Sequence, residues 1–445
     1  MEAPVINVGI MSEKAVSFVF NGEYVHTESG DFLTGEQRAI NVNGNIVYNG
    51  KLSRELFFEP AAKEACFDLN AVTIGVDFHW QRREDQRFRG ALNLVARDNA
   101  IVVINQIDIE EYLTSVISSE MSATASAEFL KAHAVISRSW LLAQLAKNQS
   151  SPTNGEASSL SMRRTADELV RWYDREDHDM FDVCADDHCQ RYQGVARTSA
   201  SLAAQAIAQT RGEVATYGGT ICDTRFYKCC GGVTETFEHV WEPTPHPYLA
   251  AVRDGRAGQT SGLALDTPDL TLETEAEAWI RAWPKAFCHT RDRDILGQVL
   301  TDYDRETSDF YRWKVTYTQE KLAELIKRKS GIDFGAITDL IPLKRGTSGR
   351  IERLQIRGSK RIYTIGKELE IRRTLSESHL YSSAFVVDKE EVCRSIPGRF
   401  VFTGAGWGHG VGLCQIGAAV MGAQGYDYKQ ILAHYFPHTS LEKRY

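Results

Sequence analysis

The chain has 445 residues, of which 43% are hydrophobic and 25% charged, a composition typical of a globular protein. This length exceeds what one ordinary hydrophobic core supports, so we expect two or three domains, or one core with large insertions. The 51 Lys and Arg against 59 Asp and Glu give a net charge of -8 without a basic stripe, which argues against nucleic acid as a partner. No apolar run is long enough to cross a bilayer, so we expect no transmembrane segment.

The first part of the chain, to about residue 108, is predicted to be rich in β-strands. Runs of β-branched and aromatic residues, such as AVSFVFNGEYV and GALNLVARDNAIVVINQ, contain or flank Asn-Gly and Asp-Asn pairs, which favour turns. The first twenty residues have neither the basic start nor the continuous apolar stretch of a secretory signal. We expect these residues to form a strand instead.

A short helix, IEEYLTSVI at 109–117, is predicted to follow the strands. It leads into the loop SSEMSATAS, which presents Glu120 between two helices. Most loop glutamates are simply solvated. A carboxyl group that a loop holds against a buried helix can be desolvated and can serve as a general acid or base, so Glu120 is a candidate catalytic residue.

The second helix, at 126–146, is the clearest element of the sequence. Ser126 is placed to cap its N-terminus. Two stripes of apolar residues at helical spacing predict that the helix is largely buried. Lys131 and Arg138, two turns apart, mark its remaining polar face.

Beyond this helix, the pattern alternates between insertions, helices and strands. Residues 147–162 are rich in Ser, Asn and Gly and read as an insertion loop, and RRTADELVRWYDRE at 163–176 predicts a helix. After a region of strands and loops, residues from 264 to about 340 are more acidic and helical. Strands return in GRIERLQIRGSKRIYTIGKELEIRRTL. Together these elements predict an α+β fold with a mixed, β-rich core, a buried central helix and helical insertions.

Clustered Cys and His side chains predict a metal site. The nine cysteines are an odd number and cannot all form intramolecular disulfides, and HDMFDVCADDHCQRY brings together His178, Cys184, His188 and Cys189. Thiolate and imidazole are the ligands that zinc prefers, usually four to a site. The candidate fourth ligand is His188 or a cysteine of the pair 229–230. The alternative interpretation is a set of buried thiols beside a surface histidine.

Glycine occupies every second position from 404 to 412, in the stretch GAGWGHGVGLCQIGA. If this segment is extended, one face is bare backbone and the other carries Trp407 and His409. A bare face allows the close approach of either another backbone or a ligand. The segment by itself therefore favours a structural crossing and a ligand groove equally.

Several segments of the chain, in the same order, resemble the SpoIID/LytB family of stage II sporulation proteins D and amidase enhancers. The similar blocks are GALNLVARDNAIVVINQIDIEEYLTSVISSEM, EFLKAHAVISRSW, FDVCADDHCQRY, TRFYKCCGGVTETFEHVW and GWGHGVGLCQIGAAVMGAQGYDYKQILAHYFPHT. They span about residues 90–440, and the last block is the most specific. Residues 1–60 and 264–345 match only loosely.

The resemblance implies a function directed at peptidoglycan. Some members of the family are lytic transglycosylases that cut glycan strands, and others are described as activators of amidases. The family's catalytic glutamate corresponds to Glu120, and Ser122 stands where its motif has proline. Its zinc ligands correspond to His178, Cys184 and Cys189, for which we expect a structural zinc. His133 replaces the usual glutamine of the central helix.

We therefore expect cleavage of peptidoglycan glycan strands by a lytic transglycosylase mechanism, with Glu120 as the single general acid and base. The alternative is a non-catalytic, peptidoglycan-binding amidase enhancer, whose further partner is a cell-wall amidase. The resemblance also implies a location in the cell envelope, in the periplasm or at the outer face of the cytoplasmic membrane, and it favours the groove interpretation of the glycine segment. The residues expected to bind substrate are Lys131, Arg138, Gly232, Thr234, Trp407, His409 and Gln415.

Four regions are predicted along the chain. They are an N-terminal β-rich region at 1–89, a SpoIID/LytB-like core with the glutamate loop and the metal site at 90–263, an α/β insertion at 264–345, and a C-terminal part of the core with the glycine-rich segment at 346–445.

Overall fold

The computed structural model describes residues 2–75, 81–122, 124–150, 161–172, 178–186, 188–195, 200–255, 267–299 and 309–445. Within these residues the chain forms 24 strands and 10 helices. The fold is mixed α+β with a β-rich core, which confirms the predicted class. No helix in these ranges is long and apolar enough to cross a membrane.

The strands, in chain order, are β1 Val5–Glu13, β2 Ala15–His26, β3 Phe32–Val42, β4 Asn45–Tyr48, β5 Lys51–Ser53, β6 Glu55–Pro60, β7 Cys66–Ile74, β8 Arg82–Arg89, β9 Ala91–Arg97, β10 Ala100–Asp108, β11 Met162–Arg164, β12 Glu168–Arg171, β13 Val183–Cys184, β14 Glu213–Tyr217, β15 Thr220–Ile221, β16 Phe226–Tyr227, β17 Arg312–Thr318, β18 Ile337–Arg345, β19 Ile351–Gly358, β20 Ile362–Gly366, β21 Phe385–Glu390, β22 Arg399–Ala405, β23 Leu413–Cys414 and β24 Ser440–Lys443. The helices are α1 Ile109–Glu120, α2 Ala127–Ser150, α3 Ala200–Gln209, α4 Phe237–Val240, α5 Glu273–Arg281, α6 Arg293–Val299, α7 Gln319–Ser330, α8 Glu368–Thr374, α9 Gln415–Ala423 and α10 Tyr428–Tyr435.

The largest sheet is built from the first 108 residues and one later strand. Its strands lie in the order β13-β1-β10-β9-β6-β2-β3-β4-β5, and β7, paired with β2 and β8, branches from this path. All neighbours are antiparallel except β13, which runs parallel to β1. Alternate residues, such as Leu56 and Phe58 of β6, are buried, because side chains of a strand point to its two faces in turn. The predicted β-rich start of the chain is thus confirmed.

Helix α2 is the predicted central helix, and it is buried as expected. Every residue from Phe129 to Leu141 except Lys131 is buried. The helix packs against α1, α3, α9, α10 and β14. At its N-terminus the Ser126 hydroxyl accepts the Phe129 N–H at 3.3 Å, which confirms the predicted cap.

The helix predicted at 163–176 is wrong over the residues that the structure describes. Strands β11 and β12 occupy this stretch, and residues 173–177 lie outside the described ranges. Strand β12 lies parallel to β20, with Leu169 opposite Ile365, and Glu168 forms an ion pair with Arg353 of β19. Hydrogen bonds to a distant strand override the local helical pattern here. Of the predicted insertion loop at 147–162, residues 151–160 also lie outside the described ranges.

A second β-rich part of the chain surrounds its own hydrophobic cluster. One sheet has the order β11-β12-β20-β19-β18 and another the order β17-β22-β21. Leu322 and Ile326 of α7 and Ile371 of α8 pack with them. Helices α5 and α7 confirm the predicted helical segments, whereas the last part of the predicted strand segment forms α8.

The predicted division into four regions stays a prediction, and the packing runs across its first boundary. The large sheet includes strands on both sides of residue 89. One hydrophobic cluster also contains residues as far apart as Ile6 and Phe436.

The buried carboxylate of Glu235 joins the two β-rich parts. It accepts hydrogen bonds from the backbone and hydroxyl groups of Thr347 and Ser348, in the loop before β19, at 2.6–3.1 Å. His239 lies 3.1 Å from the same carboxylate. Burial alone would raise the pKa of Glu235, but His239, Ser348 and Thr347 outweigh it and lower that pKa to about 2.

We expect Glu235→Gln to reduce the free energy of unfolding by about 3 kcal/mol at pH 6, because the native state lowers the carboxyl pKa from 4.5 to about 2. A depressed pKa stabilises the fold fully above pH 4.5, and the stabilisation is lost as the pH falls toward 2. At pH 6 His239 is protonated, because Glu235 raises its pKa although burial opposes this.

Denaturant unfolding of the wild type and the variant at about pH 6 and about pH 3 measures this effect. The difference between the two proteins should be smaller at the lower pH. Glu238→Gln is the matched control, since this neighbouring side chain is only half-buried. A loss for Glu235→Gln that is the same at both pH values would contradict the prediction.

Candidate functional site

Glu120 is the last residue of α1, which corrects its predicted position in a loop. The side chain is buried, with the residue 9% exposed, and no hydrogen bond or ion pair within the described ranges reaches its carboxyl group. The C-terminal end of a helix carries a partial negative charge, and α1 has no basic residue in its last turn. A buried acidic side chain at the C-terminal end of a helix destabilises the fold. The presence of Glu120 there therefore favours a functional role.

Helix α6 holds the connection that follows Glu120. The backbone carbonyl of Gln298 accepts the Ser122 N–H at 3.0 Å, and the Gln298 side chain accepts the Ser126 N–H at 3.3 Å. The start of α2 and the end of α1 are therefore positioned by a segment about 170 residues further along the chain.

Arg138 does not lie on an exposed polar face of α2, so its predicted surface position is wrong. Its guanidinium group is fully buried and donates to both oxygens of Glu110 at 3.0 and 2.7 Å. It also donates to the backbone carbonyl of Glu213. This pair links α1, α2 and β14 and leaves no open side for a substrate. Lys131, by contrast, is half-buried and pairs with Glu128 at 2.7 Å.

Gln415 is also turned into the protein. It is 2% exposed, and its side-chain amide lies 3.2 Å from Nε2 of His133. The other ring nitrogen of His133 lies 3.2 Å from the Ser137 hydroxyl. Burial, together with the positive charge of Lys228, lowers the pKa of His133 to about 3, so the ring is neutral. Gln415 and His133 therefore fasten the start of α9 to α2.

The glycine segment is not an extended strand beyond Ala405, which corrects the premise of the groove interpretation. Gly406, Gly408, Gly410 and Gly412 all have positive φ. A Cβ atom on Gly406 would lie 2.7 Å from the carbonyl oxygen of Cys229, and one on Gly412 would collide with the carbonyl of Arg225. Gly406 and Gly412 thus face neighbouring backbone inside the protein, whereas Gly404, Gly408 and Gly410 face the side chains of Trp313, Tyr227 and Arg350. Close packing within the protein explains these glycines.

His409 is held by the backbone on both of its ring nitrogens. Nε2 lies 3.0 Å from the carbonyl oxygen of Phe226, and Nδ1 accepts the Val411 N–H at 3.1 Å. This pattern requires the neutral tautomer with the proton on Nε2. Burial and the charges of Arg225 and Arg350 lower its pKa well below the usual value. No hydrogen bond joins His409 to Glu120 in the described parts of the chain.

The remaining predicted substrate residues differ in their exposure. Gly232 and Thr234 are buried, and the Thr234 hydroxyl accepts the Val252 N–H at 2.7 Å. Trp407 is half-buried between the rings of Phe310 and Tyr381, with centroids 4.7 and 4.4 Å away. Of the seven residues, Lys131, Trp407 and His409 keep partial exposure.

The predicted metal ligands come together. His178, Cys184, His188 and Cys189 each offer a ligand atom, and these four atoms lie within 4.8 Å of one another. Cys189 Sγ lies 3.4 Å from His178 Nε2 and 3.6 Å from His188 Nδ1. A hydrogen bond from Cys189, with His178 and His188 nearby, lowers the pKa of Cys184 despite burial. This group can hold a metal ion, and the parallel pairing of β13 with β1 anchors it to the large sheet.

The pair 229–230 does not contribute to this group, which corrects one of the two suggested fourth ligands. Cys230 instead belongs to a second, fully buried group with Asp254, Cys288 and Cys414. No pattern in the sequence predicts this group. Its four residues are scattered between positions 230 and 414, so they form no local spacing pattern that indicates a metal site.

A cleft opens beside the first metal group. It is lined by residues of β1, β7 and β10 and by His178, Phe181 and Cys184. Neither Glu120 nor any of the seven predicted substrate residues lines it. The cleft and the candidate catalytic carboxyl therefore belong to different parts of the surface.

Comparison with known protein families matches residues 97–217 to the Stage II sporulation protein (SpoIID) family. This part of the chain is a SpoIID domain. Residues 235–412 match a second family, described as a Domain of unknown function (DUF8618). The resemblance to the SpoIID/LytB family predicted from the sequence is confirmed.

Curated relatives agree with this assignment. An uncharacterised protein of Brachyspira hyodysenteriae is 26% identical over 95% of this chain and 85% of its own length. The Amidase enhancer of Bacillus subtilis is 27% identical over 53% of this chain and only 32% of its own length. Stage II sporulation protein D of Bacillus subtilis is 23% identical over 76% of each chain.

The SpoIID domain contains Glu120, Lys131, Arg138 and the first metal group. Trp407 and His409 fall in the second matched region, whereas Gly232, Thr234 and Gln415 lie outside both. Helix α2 of the SpoIID domain contacts the C-terminal helices α9 and α10, so the domain is completed by residues beyond its matched range.

We expect Gly412→Ala to reduce the free energy of unfolding by about 2–4 kcal/mol, because positive φ strains an alanine and its methyl group has no room. Gly412 has a φ of 83°, with the Arg225 carbonyl against it. Gly425 is the matched control, since its φ is 87° but nothing lies within 4 Å of its added Cβ. Thermal unfolding of both variants should show the smaller loss for Gly425→Ala, and equal losses would argue against the crossing.

Proposed function

We propose that the chain cleaves the glycan strands of peptidoglycan, with Glu120 as the general acid and base. The observation that carries this proposal is a buried carboxyl group at the end of α1 with no hydrogen bond or ion pair in the described ranges. It lies in the SpoIID domain, and one relative is named Amidase enhancer. We place the proposed activity in the cell envelope, where peptidoglycan lies.

A single carboxyl group suffices for this chemistry. A glycosidase of the usual plan needs two carboxyl groups flanking the scissile bond. In a lytic transglycosylase the protonated Glu120 donates its proton to the oxygen of the leaving sugar as the glycosidic bond breaks. The resulting carboxylate then accepts the proton of the sugar's own hydroxyl, whose oxygen bonds to the anomeric carbon and closes an anhydro ring.

The structure narrows the residues proposed to bind glycan. Lys131 lies two turns before Arg138 on α2, and its side chain keeps 18% exposure. Trp407 offers a half-buried aromatic surface, which suits stacking against a sugar ring. We retain Lys131 and Trp407 as candidates. We assign to the support of the fold Arg138, Gly232, Thr234, Gln415 and His409, whose two ring nitrogens are bonded to backbone.

We propose that the ion of the first metal group is zinc, held by His178, Cys184 and Cys189 with His188 as the fourth ligand. Two thiolates and two imidazoles are a donor set that suits zinc. The group ties the segment 178–189 to β1 and includes no open ligand position, so we propose a structural role. Glu120 is not among the four ligand residues.

The alternative function is a non-catalytic stimulator of a cell-wall amidase, which the name of the relative from Bacillus subtilis favours. A stimulator binds glycan strands without releasing products. The two functions therefore differ in a single readout, the appearance of anhydro-ended sugars.

We expect Glu120→Gln to abolish the release of anhydro-ended fragments from purified glycan strands, because an amide cannot donate and recover the proton. Mass spectrometry of the incubated strands measures the products. Glu111→Gln is the matched control, since Glu111 is a half-buried acidic residue on the same helix. It should keep the activity of the wild type.

Turnover retained by Glu120→Gln would overturn the role of this residue. Wild-type protein that binds strands without forming any products would overturn cleavage and support the amidase-enhancing alternative. Circular dichroism and unfolding of the three proteins should coincide, which separates loss of chemistry from loss of fold.

We expect Cys184→Ser to remove one equivalent of zinc and to lower the melting temperature, with a smaller effect on the specific activity of the folded protein. Structural zinc sites contribute directly to folding free energy. Cys66→Ser is the control, since Cys66 is half-buried and belongs to neither metal group. A variant with normal stability and no activity would show that the ion takes part in catalysis instead.

A further inference from the structure

We propose that Cys230, Cys288, Cys414 and Asp254 form a second metal site, which takes a thiophilic divalent cation of the zinc class. One ligand atom from each residue lies within 4.8 Å of the other three, and all four residues are buried. The site is separate from the His178 group. It is also independent of the function proposed above.

The four residues converge from distant parts of the chain. Cys230 lies in the loop after β16, Asp254 and Cys288 lie on the two sides of α5, and Cys414 ends β23 at the start of α9. Cys230 Sγ and Cys288 Sγ are 3.3 Å apart. The ligands of one metal ion are often close together and contributed by separate segments, and these sulfur atoms fit that arrangement.

Backbone N–H groups point at the sulfur atoms. The Cys230 N–H donates to Cys414 Sγ at 3.2 Å, and the Gly232 N–H donates to Cys230 Sγ at 3.2 Å. A neutral thiol is a weak acceptor, whereas a metal-bound thiolate is a good one. The loop after β16 is therefore shaped to surround charged sulfur.

Asp254 is a fully buried carboxyl group with neutral partners. The Tyr435 hydroxyl donates to Oδ1 at 2.7 Å, and the Cys288 N–H donates to Oδ2 at 2.8 Å. The basic side chain that contacts it in the described parts is His434, whose Nε2 lies 4.0 Å from Oδ1. These donors orient the carboxylate in the way that supporting hydrogen bonds orient metal ligands.

Two buried arginines beside the group need negative charge nearby. Arg312 donates to the carbonyl of Gly231 at 3.0 Å, and Arg350 donates to the carbonyl of Cys230 at 3.4 Å. Their exposures are 5% and 2%, and neither forms an ion pair with a carboxylate within the described residues. Arg350 also donates to the Ser348 hydroxyl, which donates to the Glu235 carboxylate. Arg312 donates to backbone carbonyls, and an uncompensated buried charge is costly. Three thiolates, one carboxylate and a divalent cation carry a net charge of minus two, which these two guanidinium groups balance.

Neutral thiols packed as small apolar groups account for less of this arrangement. They explain the burial, because free cysteine is often found in cores. They leave Arg312, Arg350 and Asp254 with no reason to surround the same centre. A disulfide between Cys230 and Cys288 would likewise leave Cys414 and Asp254 unexplained.

A cation at this centre would have a structural consequence near Glu120. Cys288 precedes α6, whose Gln298 holds Ser122 and Ser126. Cys414 begins α9, which packs against both α2 and α6. The second site would therefore fix the elements that position the end of α1.

Metal analysis of protein purified under reducing conditions without chelators tests the proposal. We expect two equivalents of zinc in the wild type, one in Cys184→Ser and one in Cys414→Ser. Cys222→Ser is the matched control, because Cys222 is equally buried but belongs to neither group, and it should keep two. A zinc content of Cys414→Ser equal to that of the wild type, or a wild type without zinc, would overturn the second site.

Cobalt substitution keeps the test decisive if Cys414→Ser fails to fold. Cys184→Ser retains every ligand of the second site and should bind one cobalt ion with thiolate-to-metal charge-transfer absorption. Absence of this absorption would overturn the proposal. If alkylation of the denatured, unreduced Cys184→Ser protein leaves two cysteines unmodified, these two form a disulfide, which would also overturn the proposal. Asp254→Asn should weaken cobalt binding in this background, whereas Cys222→Ser should leave it unchanged.

Discussion

The close crossing between the glycine segment and the backbone at 225–232 is the constraint on which the rest of the site depends. Trp407 and Cys229 exchange two backbone hydrogen bonds, and the Leu413 N–H donates to the carbonyl of Arg225. Side chains on the crossing glycines would force these two backbones apart. The crossing brings Cys414 to Cys230, places His409 against Phe226 and starts α9 beside α2.

Buried charge is the second organising feature of the molecule. Glu110 with Arg138 links α1 to α2, and Glu235 links the loop before β19 to the segment that precedes α4. Each of these groups has satisfied hydrogen bonds, because an unpaired buried charge costs more than the fold can sustain. Against this background Glu120 stands out, since its carboxyl group lacks such partners in the described ranges.

The two cysteine groups differ in the way they are built. The first uses ligands within twelve residues of sequence and pins one segment to the edge of the large sheet. The second gathers ligands from segments up to 184 residues apart at the centre of the C-terminal part. A metal in the first would order a local segment, whereas a metal in the second would hold together the elements around α1, α2 and α6.

The sequence by itself determined the features that depend on local periodicity. Runs of β-branched and aromatic residues with turn pairs predicted the β-rich start, and helical spacing predicted α2 and its burial. The short interval from His178 to Cys189 predicted a metal group. Conformational preference and ligand spacing are encoded within a few residues in each case. The resemblance of the segment around Glu120 likewise rests on neighbouring residues.

Only the tertiary structure decided the features that depend on a distant partner. The stretch at 163–171 forms strands because β20 offers it hydrogen bonds, and Arg138 is buried because Glu110 and Glu213 receive its guanidinium group. The role of the glycines follows from their contact with the backbone at 225–232. The sequence of the segment 404–412 does not indicate this contact. Close approach of chain segments hundreds of residues apart follows from packing of the whole core, and no local pattern carries that information.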